Sequence, residues 1–207
     1  MPKDKTKSHE KIVEVAMKEF LEKGYEKASM KDVALKVGMT SAGLYRHFES
    51  KEDMFRSLVQ PAIDSIEEWS NAHVSSSYQE MKSNETDDMW SMEGENNDTR
   101  MILDVMYQNP DLFRLLLFKS QGTPYENYLH DFIESTTDRM MQFLKDSKKQ
   151  GYKPQKISRN EMHMLISAYT SALVQPIEHG YTKKEAEKYY KTVIDFFTPG
   201  WRKVTGL

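Results

Sequence analysis

A run of small residues followed by long polar ones marks the part of this sequence whose side chains could recognise another molecule. Residues 40–43 read Thr-Ser-Ala-Gly, and residues 45–47 read Tyr-Arg-His. Small side chains with hydroxyls can come close to base edges in the major groove of DNA, while long polar side chains reach phosphates. The residue types and their order therefore indicate DNA recognition. An ordinary three-helix bundle in which Tyr45 and His47 pack internally is the competing interpretation.

The surrounding spacing predicts the elements that would hold this run in place. Leu44 and Phe48 are four residues apart, so they face inward from one side of a short helix. The outward face then carries Ser41, Ala42, Tyr45 and Arg46. Gly38 can make the tight turn to a preceding short helix, which is the arrangement of a helix-turn-helix. Residues that can cap the three successive helices are Ser29, Thr40 and Ser50. Lys51, at the positive end of the third of these helices, is predicted to anchor a phosphate.

Residues 39–55, Met-Thr-Ser-Ala-Gly-Leu-Tyr-Arg-His-Phe-Glu-Ser-Lys-Glu-Asp-Met-Phe, resemble the signature of the TetR family of repressors. Family members show a Gly, a small polar cap, variable positions, Leu-Tyr-x-His-Phe and a Lys-Glu pair. The resemblance extends over residues 8–58, where Ile12 through Gly24 is similar to the family's first helix. It implies that Ser29, Tyr45, His47 and Lys51 meet phosphates and that residues 40–43 lie at the bases.

Two positions depart from the family pattern. Ser41 stands where Lys is frequent, and Gly43 stands where Thr or Ala is frequent. A glycine costs up to about 1 kcal/mol of helix stability and removes a base-contacting side chain. We therefore expect phosphate contacts and DNA shape to carry more of the recognition. The predicted DNA-contacting residues are Ser29, Thr40, Ser41, Ala42, Gly43, Tyr45, Arg46, His47 and Lys51.

Helical spacing dominates the whole chain, so the predicted fold is all-α. An N-terminal three-helix, helix-turn-helix DNA-binding domain over residues 1–52 is followed by a larger helical ligand-binding and dimerisation domain over residues 53–207. The helix beginning at residue 50 is predicted to run to about Trp69, with a kink or break at Pro61. Residues 70–99 are acidic and polar with poor apolar periodicity, and they are predicted to form a long mobile connection with at most a weak helix.

The C-terminal part contains bulky side chains that could line a cavity for a small apolar or aromatic effector. The candidate ligand-binding residues are Met101, Tyr107, Phe113, Tyr128, Phe132, Met164 and Tyr169. Aromatic residues and methionines at helical spacing are more often core residues, so core packing is the competing interpretation for each. The sequence names neither the effector nor the operator.

Small and apolar residues of the last two helices predict a dimer surface. The candidates are Ser167, Ala168, Ser171, Ala172, Val193, Phe196 and Phe197. Packing within one chain explains these residues equally well. The segment 196–201, Phe-Phe-Thr-Pro-Gly-Trp, is however similar to the TetR-family ending, which implies a homodimer formed by these helices. A dimer could place two recognition helices in successive major grooves.

Several classes of function find no support in the sequence. The chain has no cysteine and a net charge of −3, which excludes Cys-ligated zinc and argues against non-specific coating of nucleic acid. It lacks a phosphate loop, a nucleophile elbow and an HExxH pair, so it is predicted not to be an enzyme and to need no cofactor. His130 and His163, with Asp131 and Glu161 beside them, show no ligating spacing, and no metal site is predicted. No long apolar run or signal sequence is present, so a cytoplasmic protein without membrane contact is expected.

The predicted function is that of a ligand-responsive repressor. A homodimer would bind a palindromic double-stranded operator and be released by a small-molecule effector. The alternatives are a cytosolic small-molecule-binding helical protein and a ligand-independent DNA-binding activator.

Overall fold

The computed structural model describes residues 5–83 and 98–207, whose regular elements are all helices. The prediction of an all-α fold is therefore confirmed for the described residues. In chain order the helices are α1 (Lys5–Lys27), α2 (Met30–Val37), α3 (Ser41–Leu44), α4 (Lys51–Ser83), α5 (Asp98–Gln108), α6 (Pro110–Phe118), α7 (Tyr128–Lys149), α8 (Arg159–Glu178) and α9 (Lys183–Thr205). None of them is both long and apolar enough to cross a membrane.

The chain divides into two compact units. Unit 1 comprises Met1–Asp64 and Asn109–Tyr128, and unit 2 comprises Ser65–Gln108 and Leu129–Leu207. Helix α6 thus belongs with the N-terminal helices, which the sequence did not indicate, and α4 supplies residues to both units. Compactness does not say which residues bind DNA or effector, so the functional boundary after residue 52 stays a prediction.

Unit 1 is built on the apolar stripe of α1. Ile12, Ala16 and Phe20 recur at four-residue steps and are at most 1% exposed, which places them on one buried face of the helix. Phe55 of α4 meets the ring of Phe20 edge to face, with 5.3 Å between centroids. From α6, Phe113, Leu115 and Leu116 are also buried. This shared core fixes the helices that support α2 and α3.

A buried carboxylate joins α1 to α2. Glu19 is fully buried, and its two oxygens each lie 2.6 Å from a lysine ammonium, Lys23 on the same helix and Lys36 on α2. Lys23 also contacts Asp32 of α2 at 3.0 Å. Burial acts to raise the pKa of the Glu19 carboxyl, but the hydrogen bonds from Lys23 and Lys36 outweigh it and hold that pKa below its ordinary value. The network therefore sets the position of α2 against α1.

Unit 2 has its own core around the last helices. Met162 and Ile166 of α8 pack with Ile133 and Leu144 of α7 and with Trp201 of α9. Both α8 and α9 begin with a capping box, in which the Ser158 and Thr182 side chains each exchange hydrogen bonds with a glutamate three residues later. The Tyr190 hydroxyl, on a side chain with no exposed surface, donates to the carbonyl of Leu173 and links the two helices.

The predicted mobile connection over residues 70–99 is wrong for residues 70–83, because α4 continues to Ser83, and for residues 98–99, because α5 begins at Asp98. Contacts within unit 2 hold this end of α4. Arg139 donates to the buried Ser70 hydroxyl, and the Tyr78 hydroxyl donates to Asp146 at 3.1 Å. The Tyr152 hydroxyl donates to the Met81 carbonyl at 3.0 Å. These tertiary hydrogen bonds stabilise the end of α4, which has no periodic apolar face to pack. The remainder of the prediction, residues 84–97, lies outside the described residues.

Two glycines with positive φ shape the ends of α1 and α9. Gly24 interrupts α1 with φ 73° and ψ 169°, and helical hydrogen bonding resumes to Lys27. Helix α9 passes through Pro199 and ends at Gly206, whose φ of 73° gives it a left-handed cap. The segment 196–201 is therefore helical.

Candidate nucleic-acid interface

Helices α2 and α3 form a helix-turn-helix whose turn is fixed by caps at both sides. Gly38 ends α2 in the left-handed conformation with φ 81° and ψ 37°, and its N–H donates to the carbonyls of Ala34 and Leu35. Thr40 caps α3, because its hydroxyl accepts from the Gly43 N–H at 3.1 Å. The caps at Ser29, Thr40 and Ser50 were predicted from the sequence and are confirmed.

Helical hydrogen bonding continues beyond the four residues of α3. The N–H groups of Arg46 and His47 donate to carbonyls three residues back, and that of Phe48 donates to Leu44 at 3.2 Å. We call this helical segment, from Thr40 to Phe48, the rod. Its last turn is wound more tightly than an α-helix. Leu44 is fully buried and Phe48 is 4% exposed, which confirms that this side of the rod faces the core.

The outward side of the rod carries most of the predicted DNA-contacting residues. Tyr45 is 52% exposed, and Thr40, Ala42 and Arg46 are exposed as well. Half-buried members are Ser41, Gly43 and His47. Side chains at positions 40, 42, 45 and 46 can therefore be reached by a partner, and they combine a hydroxyl, a methyl, a phenol and a guanidinium. This is a suitable set for base edges and phosphates together.

Gly43 lies where a larger residue would contact the Thr40 hydroxyl that caps α3. A Cβ built there would lie 3.3 Å from the Thr40 hydroxyl and 3.8 Å from the Met39 Cβ. Glycine thus leaves room for the capping hydroxyl while exposing backbone at the outward end of α3. Thr or Ala at this position, as in the family pattern, would require Thr40 to shift by a few tenths of an ångström.

His47 stands beside a second imidazole at the edge of the rod. Its ring centroid is 6.2 Å from that of His9 in α1, and the His9 ring stacks on Phe48 at 5.3 Å. His9 was not considered in the sequence prediction, since it lies 38 residues away and only the fold brings it close. Ser29, the remaining hydroxyl, is half-buried and accepts from the Asp32 N–H at 3.4 Å as the cap of α2.

Lys51 has an intramolecular role that the sequence did not indicate. Its ammonium donates to the carbonyls of Tyr25, Glu26 and Ala28 at 2.9, 3.2 and 3.3 Å. The same nitrogen lies 4.3 Å from the centroid of the Tyr25 ring. An ammonium has three donors, and these three carbonyls use them all. Lys51 thus donates hydrogen bonds to the carbonyls at the C-terminal end of α1. Its predicted contact with a phosphate stays a prediction.

The candidate ligand-binding residues are divided between the two units. Phe113 and Tyr128 belong to unit 1, and the other five belong to unit 2. Within unit 2, Met164 is 69% exposed and Met101 is 42% exposed, whereas Tyr169 packs against Phe197 and Trp201. Tyr107 and Phe132 are half-buried. Tyr169 is half-buried and packs against the core, and its predicted contact with an effector stays a prediction.

The candidate dimer residues separate into buried and exposed members. Val193 is 6% exposed and belongs to the core of unit 2, while Phe196 is 78% exposed. Ala168 is exposed, and Ser167, Ser171, Ala172 and Phe197 are half-buried. Leu165, 38% exposed on α8 beside Met164, was missed by the sequence prediction. We call the exposed residues Met164, Leu165, Ala168 and Phe196 the apolar face of unit 2.

Three potential metal ligands meet in unit 2. His130 and Glu134 of α7 and His163 of α8 bring one ligand atom each within 4.8 Å of one another. The spacing of His130 and Glu134, one helical turn, is visible in the sequence, but the third member comes from another helix.

Comparisons with known proteins find bacterial transcriptional regulators. The sequence model of the family described as bacterial regulatory proteins, tetR family, matches residues 12–58. An uncharacterized HTH-type transcriptional regulator of Bacillus subtilis (strain 168) is 38% identical over 60 residues, which is 29% of each chain. An HTH-type transcriptional regulator of Staphylococcus aureus (strain MRSA252) is 27% identical over 157 residues, covering 69% of this chain and 85% of that protein. A crystal structure from Mesorhizobium loti covers 94% of this chain at 16% identity with a TM-score of 0.47, a likeness too weak to bear on the fold.

Proposed function

We propose that this chain, which is a DNA-binding transcriptional regulator of the TetR family, is a non-enzymatic cytoplasmic repressor that binds a palindromic operator as a homodimer. The rod from Thr40 to Phe48 enters the major groove of each half-site. Thr40, Ser41, Ala42 and Gly43 approach the bases. Ser29, Tyr45, Arg46 and His47 contact phosphates, and Lys51 does so by exchanging one of its carbonyl partners for a phosphate oxygen.

The exposed side of this rod is the observation that carries the proposal. Leu44 and Phe48 anchor the rod in the core of unit 1, and Thr40 caps it. Positions 42, 45 and 46 remain exposed on the opposite side. A rod whose backbone is held on one side and whose polar residues are free on the other loses little conformational entropy when it binds DNA.

Footprinting on the DNA flanking the chain's own gene tests the operator. We expect protection of two half-sites related by a two-fold axis. A Tyr45→Ala, Arg46→Ala double variant should lose the footprint, because both exposed side chains contribute phosphate contacts. The matched control, Lys145→Ala, changes an exposed lysine of α7 and should keep it. Equal footprints for the double variant and wild type would contradict the proposed surface.

The effector is proposed to bind in the C-terminal domain, residues 53–207. Support comes from the bulky residues of unit 2 that are not fully committed to its core, Met101, Tyr107, Phe132 and Met164. The helix α4 provides a means of transmission, because it starts beside the rod at Lys51 and extends as one helix to Ser83. Apolar and aromatic compounds are the class that such side chains accept.

Coupling between effector and operator has a thermodynamic test. A compound that releases the operator must bind the two states with different affinity, and the operator must weaken the compound's binding by the same factor. We expect this reciprocity in paired titrations of operator with compound present and of compound with operator present. A compound that binds without changing operator affinity would favour a ligand-independent regulator.

A further inference from the structure

We infer that unit 2 contains a binding site for one divalent transition-metal ion, formed by His130 and Glu134 of α7 and His163 of α8. The inference is independent of DNA binding and of the proposed effector.

The three side chains are brought together by helix geometry. His130 and Glu134 are four residues apart on α7, so they project from the same side of the helix. His163, near the start of α8, faces them, with its ring centroid 6.1 Å from that of His130 and its Nδ1 3.1 Å from Glu134 Oε1. All three ligand atoms lie within 4.8 Å of one another. Two ligand atoms of one tetrahedral zinc ion lie about 3.4 Å apart, so binding requires the three side chains to move closer together. His130 is exposed, so its ring has room to rotate.

The His163 nitrogen provides a second observation. Its Nδ1 is buried, and among the described residues it makes no hydrogen bond of acceptable geometry, although Glu134 is close. A buried polar atom without a hydrogen bond lowers the stability of the fold unless another group interacts with it. A bound cation would do so, because a neutral imidazole nitrogen is a good ligand for a divalent transition metal.

The charges around the site suit a divalent cation. Arg159 of α8 donates to Glu134 Oε2 and to Asp138 Oδ1 at 2.6 and 2.7 Å, so Oε1 of Glu134 remains directed at His163. One guanidinium and two carboxylates leave a local charge of −1.

The ligand set indicates the class of metal and the state of the site. Two imidazoles and one carboxylate suit zinc and its neighbours in the first transition row rather than magnesium or calcium, which prefer oxygen ligands alone. Three protein ligands leave at least one coordination position for water or a small anion. A bound ion would join α7 to α8 and stiffen this part of unit 2.

Zinc titration of the full-length, metal-free chain tests the site. Calorimetry should detect one ion per chain at this site, and the thermal unfolding midpoint should rise with zinc. His130→Ala, Glu134→Gln and His163→Ala should each weaken binding by at least about tenfold, since even indirect metal partners contribute that much. His179→Ala is the matched control, because His179 is an exposed histidine at the C-cap of α8 that pairs with Gln175. It should bind zinc as wild type does.

Two results would overturn the inference. One is zinc binding that is unchanged in all three variants and lost instead in His9→Ala, which would assign the ion to the histidine pair of unit 1. The other is no saturable binding by wild type. Cobalt binding to the wild-type chain tests the site without any variant, so misfolding of a variant cannot affect the result. The visible spectrum of the bound cobalt should report nitrogen and oxygen ligands. A spectrum identical to that of cobalt in buffer would also count against the site.

Discussion

At the scale of single residues, Arg46 and Lys51 of unit 1 have different roles. Arg46 projects from the rod and is exposed, whereas the Lys51 ammonium donates to three carbonyls at the end of α1. A cation that is free in the absence of DNA can release counterions when it meets a phosphate. The two residues therefore call for two different measurements.

Arg46→Ala is expected to lower operator affinity in a salt-dependent way without changing stability. Loss of one phosphate contact should reduce the slope of log affinity against log salt by about one unit. Fluorescence anisotropy at several salt concentrations measures this slope. Lys145→Ala, which removes an exposed charge from α7, should leave it unchanged. A slope equal to that of wild type would exclude Arg46 from the phosphate contacts.

Lys51→Met should destabilise the protein by about 1–3 kcal/mol, because it removes charge-assisted hydrogen bonds to the end of α1 and leaves three carbonyls without this donor. Chemical denaturation followed by circular dichroism measures the loss. Methionine keeps the length of the side chain, so the change reports the charge and its donors. If stability were unaltered while the salt slope fell by about one unit, Lys51 would be a phosphate contact alone.

The residue types in the sequence predicted the rod, but they did not predict the contacts of Lys51 and His163. The capping hydroxyl of Thr40 and the inward Leu44 and Phe48 follow from local spacing, and all three are confirmed. The partners of Lys51 lie 23–26 residues away along the chain, and no local pattern contains them. The same holds for His163, whose neighbours on α7 are set by the packing of two helices.

At the scale of elements, the attachment of α2 to α1 determines where the rod lies. Glu19, fully buried, holds Lys36 of α2 at 2.6 Å and Lys23 of its own helix at the same distance. A buried carboxylate with two ammonium partners is stable only while both contacts are made. The orientation of the helix-turn-helix therefore depends on one side chain that does not contact DNA.

Glu19→Gln should lower the free energy of unfolding near neutral pH by about 1–3 kcal/mol, since a neutral amide replaces a charged acceptor of two hydrogen bonds. The pKa of Glu19 is lowered in the folded protein, so its contribution is complete above the unfolded value of 4.5 and is lost as pH falls below it. Denaturation curves at several pH values should show the variant and wild type converging in acid. A constant difference at every pH would contradict the role of the carboxylate charge.

Helix α4 shows where an element escapes sequence analysis. Its first half follows the apolar spacing that predicted it, but Ser70–Ser83 lacks such spacing and was assigned to a mobile connection. Hydrogen bonds from Arg139, Tyr78 and Tyr152 within unit 2 stabilise this half. Helical stability that comes from tertiary contacts leaves little trace in local periodicity.

At the scale of the whole molecule, the apolar face of unit 2 is the proposed site of dimerisation. Phe196 is 78% exposed and Met164 is 69% exposed, on the neighbouring helices α9 and α8. Exposed aromatic and methionine side chains grouped on adjoining helices are typical of surfaces that bind another protein. Two copies joined through this face could present two rods to one operator.

Phe196→Asp should weaken dimerisation by at least about thirtyfold, which corresponds to about 2 kcal/mol for a central apolar contact. Sedimentation equilibrium measures the dissociation constant. Leu35→Asp is the matched control, because Leu35 is 77% exposed on α2 of unit 1 and lies outside the proposed face. A dimer that is as strong in Phe196→Asp as in wild type would place the interface elsewhere.

Selection of bound fragments from random-sequence duplex DNA by the full-length chain tests the central claim most directly. The account predicts an enriched palindrome whose half-site centres are about one helical turn apart, roughly 10 base pairs, or a multiple of that. A pool that stays random after repeated rounds at low salt, or an enriched site without two-fold symmetry, would contradict recognition by two copies of the Thr40–Phe48 rod.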